Sequence, residues 1–113
     1  MDTFSFNRHR PPILPIEMPD EEGTIIHVTP PTVDLQEELR ASAGDFNALL
    51  SGGNDEKREA LYDLAARLMS CNRNFLKVTA EDLLKTFRLD SEDLVEFFHA
   101  YVAFLQGFEN AKN

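Results

Sequence analysis

The side chains here with most chemical potential are three histidines and a single cysteine: His9, His27, His99 and Cys71. A structural or catalytic zinc site needs several such ligands at short spacing, and none of these has a partner at that distance. No His-Glu-x-x-His pattern occurs. A Cys71–His99 nucleophile and base pair would need the thiol pKa lowered, and nothing in the sequence joins the two. Ser51-Gly52-Gly53-Asn54 is the nearest approach to a glycine-rich phosphate loop. It follows a helical pattern rather than a strand and lacks the Lys-Ser/Thr ending, so it reads as a turn between helices. The acidic runs Asp20-Glu21-Glu22-Gly23 and Asp90-Ser91-Glu92-Asp93 lack the alternating ligand spacing of a calcium loop. They read as a solvated turn and a helix start. No catalytic, metal-binding or cofactor-binding residue is assigned, no cofactor is expected, and the sequence does not read as an enzyme.

Charge is the next signal. The net charge is -9, with 42% hydrophobic and 27% charged residues. Such an acidic surface repels phosphate backbones and anionic headgroups, which argues against nucleic acid and membrane as partners. Arg73, Lys77, Lys85 and Arg88 gather positive charge between two acidic stretches. They either dock an acidic partner or another copy of the chain, or balance the helices around them. One cysteine excludes an internal disulfide, and no apolar run follows Arg8 and Arg10 as a signal peptide would. The expected compartment is the reducing cytoplasm.

The elements that must position any site are helical. From Ser91 to Glu109, Leu94, Phe97, Phe98, Tyr101, Phe104, Leu105 and Phe108 recur at steps of three and four, on one face of a helix roughly 28 Å long. Phe97, Tyr101 and Phe104 are expected in the core, and Tyr101→Ala is expected to unfold the protein. Phe108 at the helix end, and Phe4 and Phe6 near the N-terminus, are expected to be free to bind. Residues 1–12 read as a flexible arm, with Arg10-Pro11-Pro12 blocking a helix.

Residues 13–113 read as one mainly α domain, a small bundle of about four helices behind a short β-hairpin. Ile13–Met18 and Thr24–Val28 predict the two strands, with Pro19 and Gly23 supplying the turn. Pro15 makes the first strand an edge. Thr32 predicts an N-cap, and Leu35, Leu39, Ala43, Phe46 and Leu50 a helix that Gly44 weakens. Leu61, Leu64, Ala65, Leu68 and Met69 mark the next helix. Phe75 and Val78 are expected to pin the following loop on the core. Thr79 with Asp82 forms a capping-box pattern ahead of Leu83, Leu84 and Phe87.

This order of pieces resembles a family. Gly23-Thr24-Ile25-Ile26-His27-Val28-Thr29-Pro30-Pro31-Thr32 is similar to the opening of small tail assembly chaperones of long-tailed bacteriophages and prophages. So are Leu68-Met69-Ser70-Cys71-Asn72-Arg73-Asn74, Lys77-Val78-Thr79-Ala80-Glu81-Asp82-Leu83, and the closing Phe97-Phe98-His99-Ala100-Tyr101-Val102-Ala103-Phe104. The resemblance implies a small protein of the bacterial host cytoplasm. It would coat the long helical tape measure protein in many copies before tail tube subunits polymerise, and would contact further copies of itself. The alternative from composition is a small acidic helical adaptor that binds one compact protein partner.

Overall fold

The computed structural model describes residues 12–49 and 55–112, with the side chains of 47–49 and 108–112 excepted. The chain runs from a hairpin, β1 (Leu14–Glu17) and β2 (Ile25–Val28), into α1 (Val33–Ser42) and a 3-10 segment (Ala43–Leu49). After these come α2 (Asp55–Met69), a π-helical turn (Asp82–Thr86) and α3 (Ser91–Lys112). The fold is mainly helical with an N-terminal hairpin, as the patterns predict.

Each start has a local cause. At the hairpin corner Asp20 accepts from the Thr24 N–H at 2.8 Å and from its hydroxyl at 2.5 Å. These bonds hold the Asp20 carboxyl below its ordinary pKa. Gly23 takes the left-handed backbone, φ 64°, that closes the turn. Thr32 caps α1 through the Leu35 N–H at 3.3 Å. Thr79 and Asp82 exchange backbone-to-side-chain bonds of 3.1 Å, the reciprocal pattern of a capping box. Asp90 and Asp93 repeat it at the head of α3, so Asp90 is the cap.

Register explains how a two-stranded sheet survives. Leu14 pairs with Val28, Pro15 with His27 and Ile16 with Ile26. The Met18 N–H donates to the Thr24 carbonyl, and counting in twos puts Ile16↔Ile26 and Leu14↔Val28 at bonded positions. Pro15 and His27 therefore turn their backbone groups outward, and the missing Pro15 donor costs the ladder nothing. On the β2 side those outward groups are met. The Arg73 N–H donates to the His27 carbonyl, Asn74 Oδ1 accepts from the His27 N–H, and the Thr29 N–H donates to the Cys71 carbonyl. Residues 71–74 thus act as a strap along β2, while no described residue outside β2 pairs with β1.

Met18, Ile26 and Val28 bury the hairpin's inner face against the helices. Phe46 stacks on Phe98 with ring centroids 4.3 Å apart and planes 11° off parallel. Phe97, Tyr101 and Phe104 continue the row at centroid spacings of 5.5 to 5.9 Å. Phe97 and Tyr101 are buried as expected, but Phe104 is only half-buried, and Phe98 lies deeper than either end of the row. The predicted weakening at Gly44 appears as the change from α1 to 3-10 geometry at Ala43, which swings Phe46 onto Phe98.

One further expectation fails. Phe75 does not pin its loop: Val78 is buried, yet Phe75 is 97% exposed with φ 56°. Of the apolar residues in the π-helical turn, Leu83 is buried but Leu84 faces solvent.

The tyrosines differ in one respect that stability measurements will read. Tyr62 donates its hydroxyl to the Leu89 carbonyl at 2.7 Å. Tyr101 is fully buried and its hydroxyl has no hydrogen-bond partner among the described residues. Burial, with Cys71 nearby, holds its phenol above the ordinary pKa. An unsatisfied buried hydroxyl costs on the order of 1–3 kcal/mol. Tyr101→Phe keeps the ring contacts and is expected to raise stability by about 1 kcal/mol in urea melts, whereas Tyr62→Phe is expected to lower it. A Tyr101→Phe variant less stable than Tyr62→Phe would show that the Tyr101 hydroxyl is satisfied.

Candidate functional site

Three surface features stand beside the core. The first is the loop from Asn72 to Val78. Asn72 uses its whole side chain to build it: Nδ2 donates to the Met69 and Leu76 carbonyls at 2.8 Å each. Its Oδ1 accepts from the Asn74 and Leu76 N–H groups at 3.0 Å each. With two donors and two acceptor bonds made, Asn72 has no hydrogen-bonding capacity left. Ser70 closes the loop's base through bonds to the Val78 N–H and carbonyl at 2.9 Å. The tight bend that results carries Phe75 outward in a left-handed conformation unusual for a bulky residue. Arg73 and Lys77 lie two residues to either side, both exposed.

A second feature is a groove of about 470 Å³ between α1, α2 and residues 77–80. Leu35, Ala66, Val78 and Ala80 give it an apolar floor, and Lys77 stands on its margin with Asp34, Glu38 and Asp63. Arg67 ties the two helices together there. It makes bonds of 2.6 and 2.7 Å to both Glu38 oxygens, and its Nε lies 2.9 Å from Asp63. The paired guanidinium holds the Glu38 carboxyl below its usual range, and Glu38 in turn raises the Arg67 pKa. Both side chains are over a third exposed, so the pair orients the helices more than it stabilises them. Val33, beside Asp34 in sequence, is 70% exposed.

The third is a groove of about 420 Å³ between β1 and the first half of α3. Leu14, Ile16, Met69 and Phe97 line it, with Glu17, Asp93 and Glu96 around them. Among the described residues lining it, none is basic.

The residues singled out from sequence fall in different settings. Phe4 and Phe6 lie outside the described residues, as does the side chain of Phe108. Arg73 and Lys77 flank Phe75. Lys85 pairs with Glu81 at 3.2 Å along one face. Arg88 takes the left-handed position, φ 53°, that ends the π-helical turn. Sequence reasoning missed Phe75 as a surface residue because Phe usually reads as core. The available signal was its position: Asn72 and Asn74 precede it, and Arg73 and Lys77 bracket it.

Among the described residues, no group of three or more His, Cys, Asp or Glu is placed to hold a metal ion. None of their helices is long and apolar enough to cross a membrane. His27 Nδ1 lies 3.3 Å from Asn74 Oδ1, which gives it a structural contact at the β2 strap. The described surface offers apolar contacts and charge. No protein-family model matches this chain, and neither a curated protein nor a solved structure shows significant similarity to it.

Proposed function

We propose that this protein is a tail assembly chaperone of a long-tailed bacteriophage or prophage. In this reading it works in the host cytoplasm, binding the long helical tape measure protein in multiple copies. It keeps that protein soluble until tail tube subunits polymerise. The observation that carries the reading is where apolar surface remains once the core is complete. Val33, Ile25 and Leu84 are exposed on three different elements and Phe75 with Leu76 on one loop, and none of the five lines either groove described above. A catalyst gathers its groups at one place, and a single-partner adaptor gathers its anchors at one patch. Dispersed, modest contacts suit a subunit that touches an extended partner and its neighbours together.

The physical logic follows from the partner. A long amphipathic helix exposes apolar stripes that aggregate unless covered. A coat of acidic subunits hides the stripes and adds negative charge. Because the coat must come off, each contact is weak and occupancy builds from many adjacent copies. The groove between α1 and α2 has the form that accepts a helix, an apolar floor between charged margins.

The test is co-expression with the long helical protein encoded beside this chain. The expected result is a soluble complex containing many copies of this chain per partner. A partner equally soluble alone would overturn the proposal. A complex with one copy would favour the adaptor instead.

A further inference from the structure

Phe75 combines two costs. It is almost fully exposed, and its left-handed φ of 56° strains a residue with a Cβ by roughly 1 kcal/mol or more. Asn72 holds the backbone on both sides of Phe75 with four hydrogen bonds, so the point from which the ring projects is fixed. An exposed aromatic on a held backbone has the form of a binding anchor, because little backbone ordering entropy is left to lose on contact. The segment Asn72–Val78 carries two cations, Arg73 and Lys77, and no acid, in a chain of net charge -9.

The matching surface is on the same molecule, across the hairpin. The groove beside β1 has an apolar lining that includes Ile16 and Phe97, with Glu17, Asp93 and Glu96 around it. The loop bearing Phe75 continues from the strap on the outer side of β2, and the groove lies on the outer side of β1. Both strands stand between them, so a copy does not fill its own groove.

We propose that Phe75 of one copy seats in the β1–α3 groove of the next, with Arg73 and Lys77 against the groove's carboxylates. Such a contact is head-to-tail: using it leaves one anchor and one groove free at the two ends, and further copies add. The inference deepens the multi-copy reading above, but its test needs no second protein, so the two fail separately.

The experiment is sedimentation velocity on the purified full chain, from micromolar to millimolar. The wild type is expected to grow past the dimer as concentration rises, and less so as salt is raised. Phe75→Ser removes the anchor and Ala100→Arg, at an exposed helical position lining the groove, obstructs the recipient. Each alone is expected to weaken association at least roughly tenfold, with far-UV circular dichroism and melting like the wild type. Mixed, they retain one good anchor and one good groove, and should form a one-to-one heterodimer that grows no further. A wild type that stays monomeric, or stops at a closed dimer, overturns the proposal. So does a mixture that fails to pair while both variants are folded. If the chain stays monomeric yet still solubilises the tape measure candidate, only this inference falls. If copies associate while that candidate needs no help, only the function falls.

Discussion

Phe98→Ala is expected to lose about 3–5 kcal/mol of folding stability, the usual range for truncating a buried aromatic. Phe98 is fully buried, stacked on Phe46 and in contact with Phe97. Removing its ring therefore empties the junction between α3 and the 3-10 segment. A small domain holds about 5–15 kcal/mol in total, so the variant should melt on the order of 10–20 °C lower and unfold at markedly less urea. Phe104→Ala, at a half-buried position, should cost roughly half as much. Phe46→Ala in the Phe98→Ala background should cost less than in the wild type, because the stack is already gone. A Phe98→Ala variant as stable as Phe104→Ala would mean that the core is centred elsewhere.

The second large effect is expected at a polar residue. Asn72→Ala removes four hydrogen bonds in one step, each contributing on the order of 0.5–1.5 kcal/mol net, for a total of about 2–6 kcal/mol. Asn72→Asp keeps the two acceptor bonds and sets a carboxylate against the Met69 and Leu76 carbonyls, so it should recover little. Hydrogen exchange gives the local readout: the Leu76 N–H should lose protection in Asn72→Ala and keep more of it in Asn72→Asp, while amides inside α3 keep theirs in both. Phe75→Gly makes the contrast. It relieves the left-handed strain and removes an exposed ring, so it should leave stability unchanged or higher. Asn72→Ala within about 0.5 kcal/mol of the wild type would show that the loop holds itself without this residue.

The frame was legible because its signals are local. Helical spacing in α3 and the caps at Thr32 and Thr79 are written over a few residues each, and the structure repeats them. The hairpin was legible from Pro19 and Gly23, down to the edge position of Pro15. What could not be read were pairings across long separations. Nothing near His27 announces that Arg73 and Asn74 will satisfy it, and nothing near Phe46 names Phe98. The loop was misread for a different reason. Hydrophobicity alone puts Phe75 inside, whereas the hydrogen-bonding capacity of Asn72, whose partners are main-chain groups of any residue type, puts it outside. The binding features followed suit: the cations were visible in sequence, but the ring between them and the carboxylates of the distant groove were not.

The strap along β2 also bears on the order in which the chain assembles. The bonds that complete β2 join residues 42 and 47 positions apart, so they close only once the chain between them brings residues 71–74 back to β2. A pairing across so long a loop is entropically late, while the helical turns between form early and locally. The hairpin leaves the ribosome before α1 and α2, yet reaches its final state after them. Until then both of its edges are open to strands of other nascent chains. Pro15, which offers no donor on the outer edge of β1, shortens the row on which a foreign strand can pair throughout that interval.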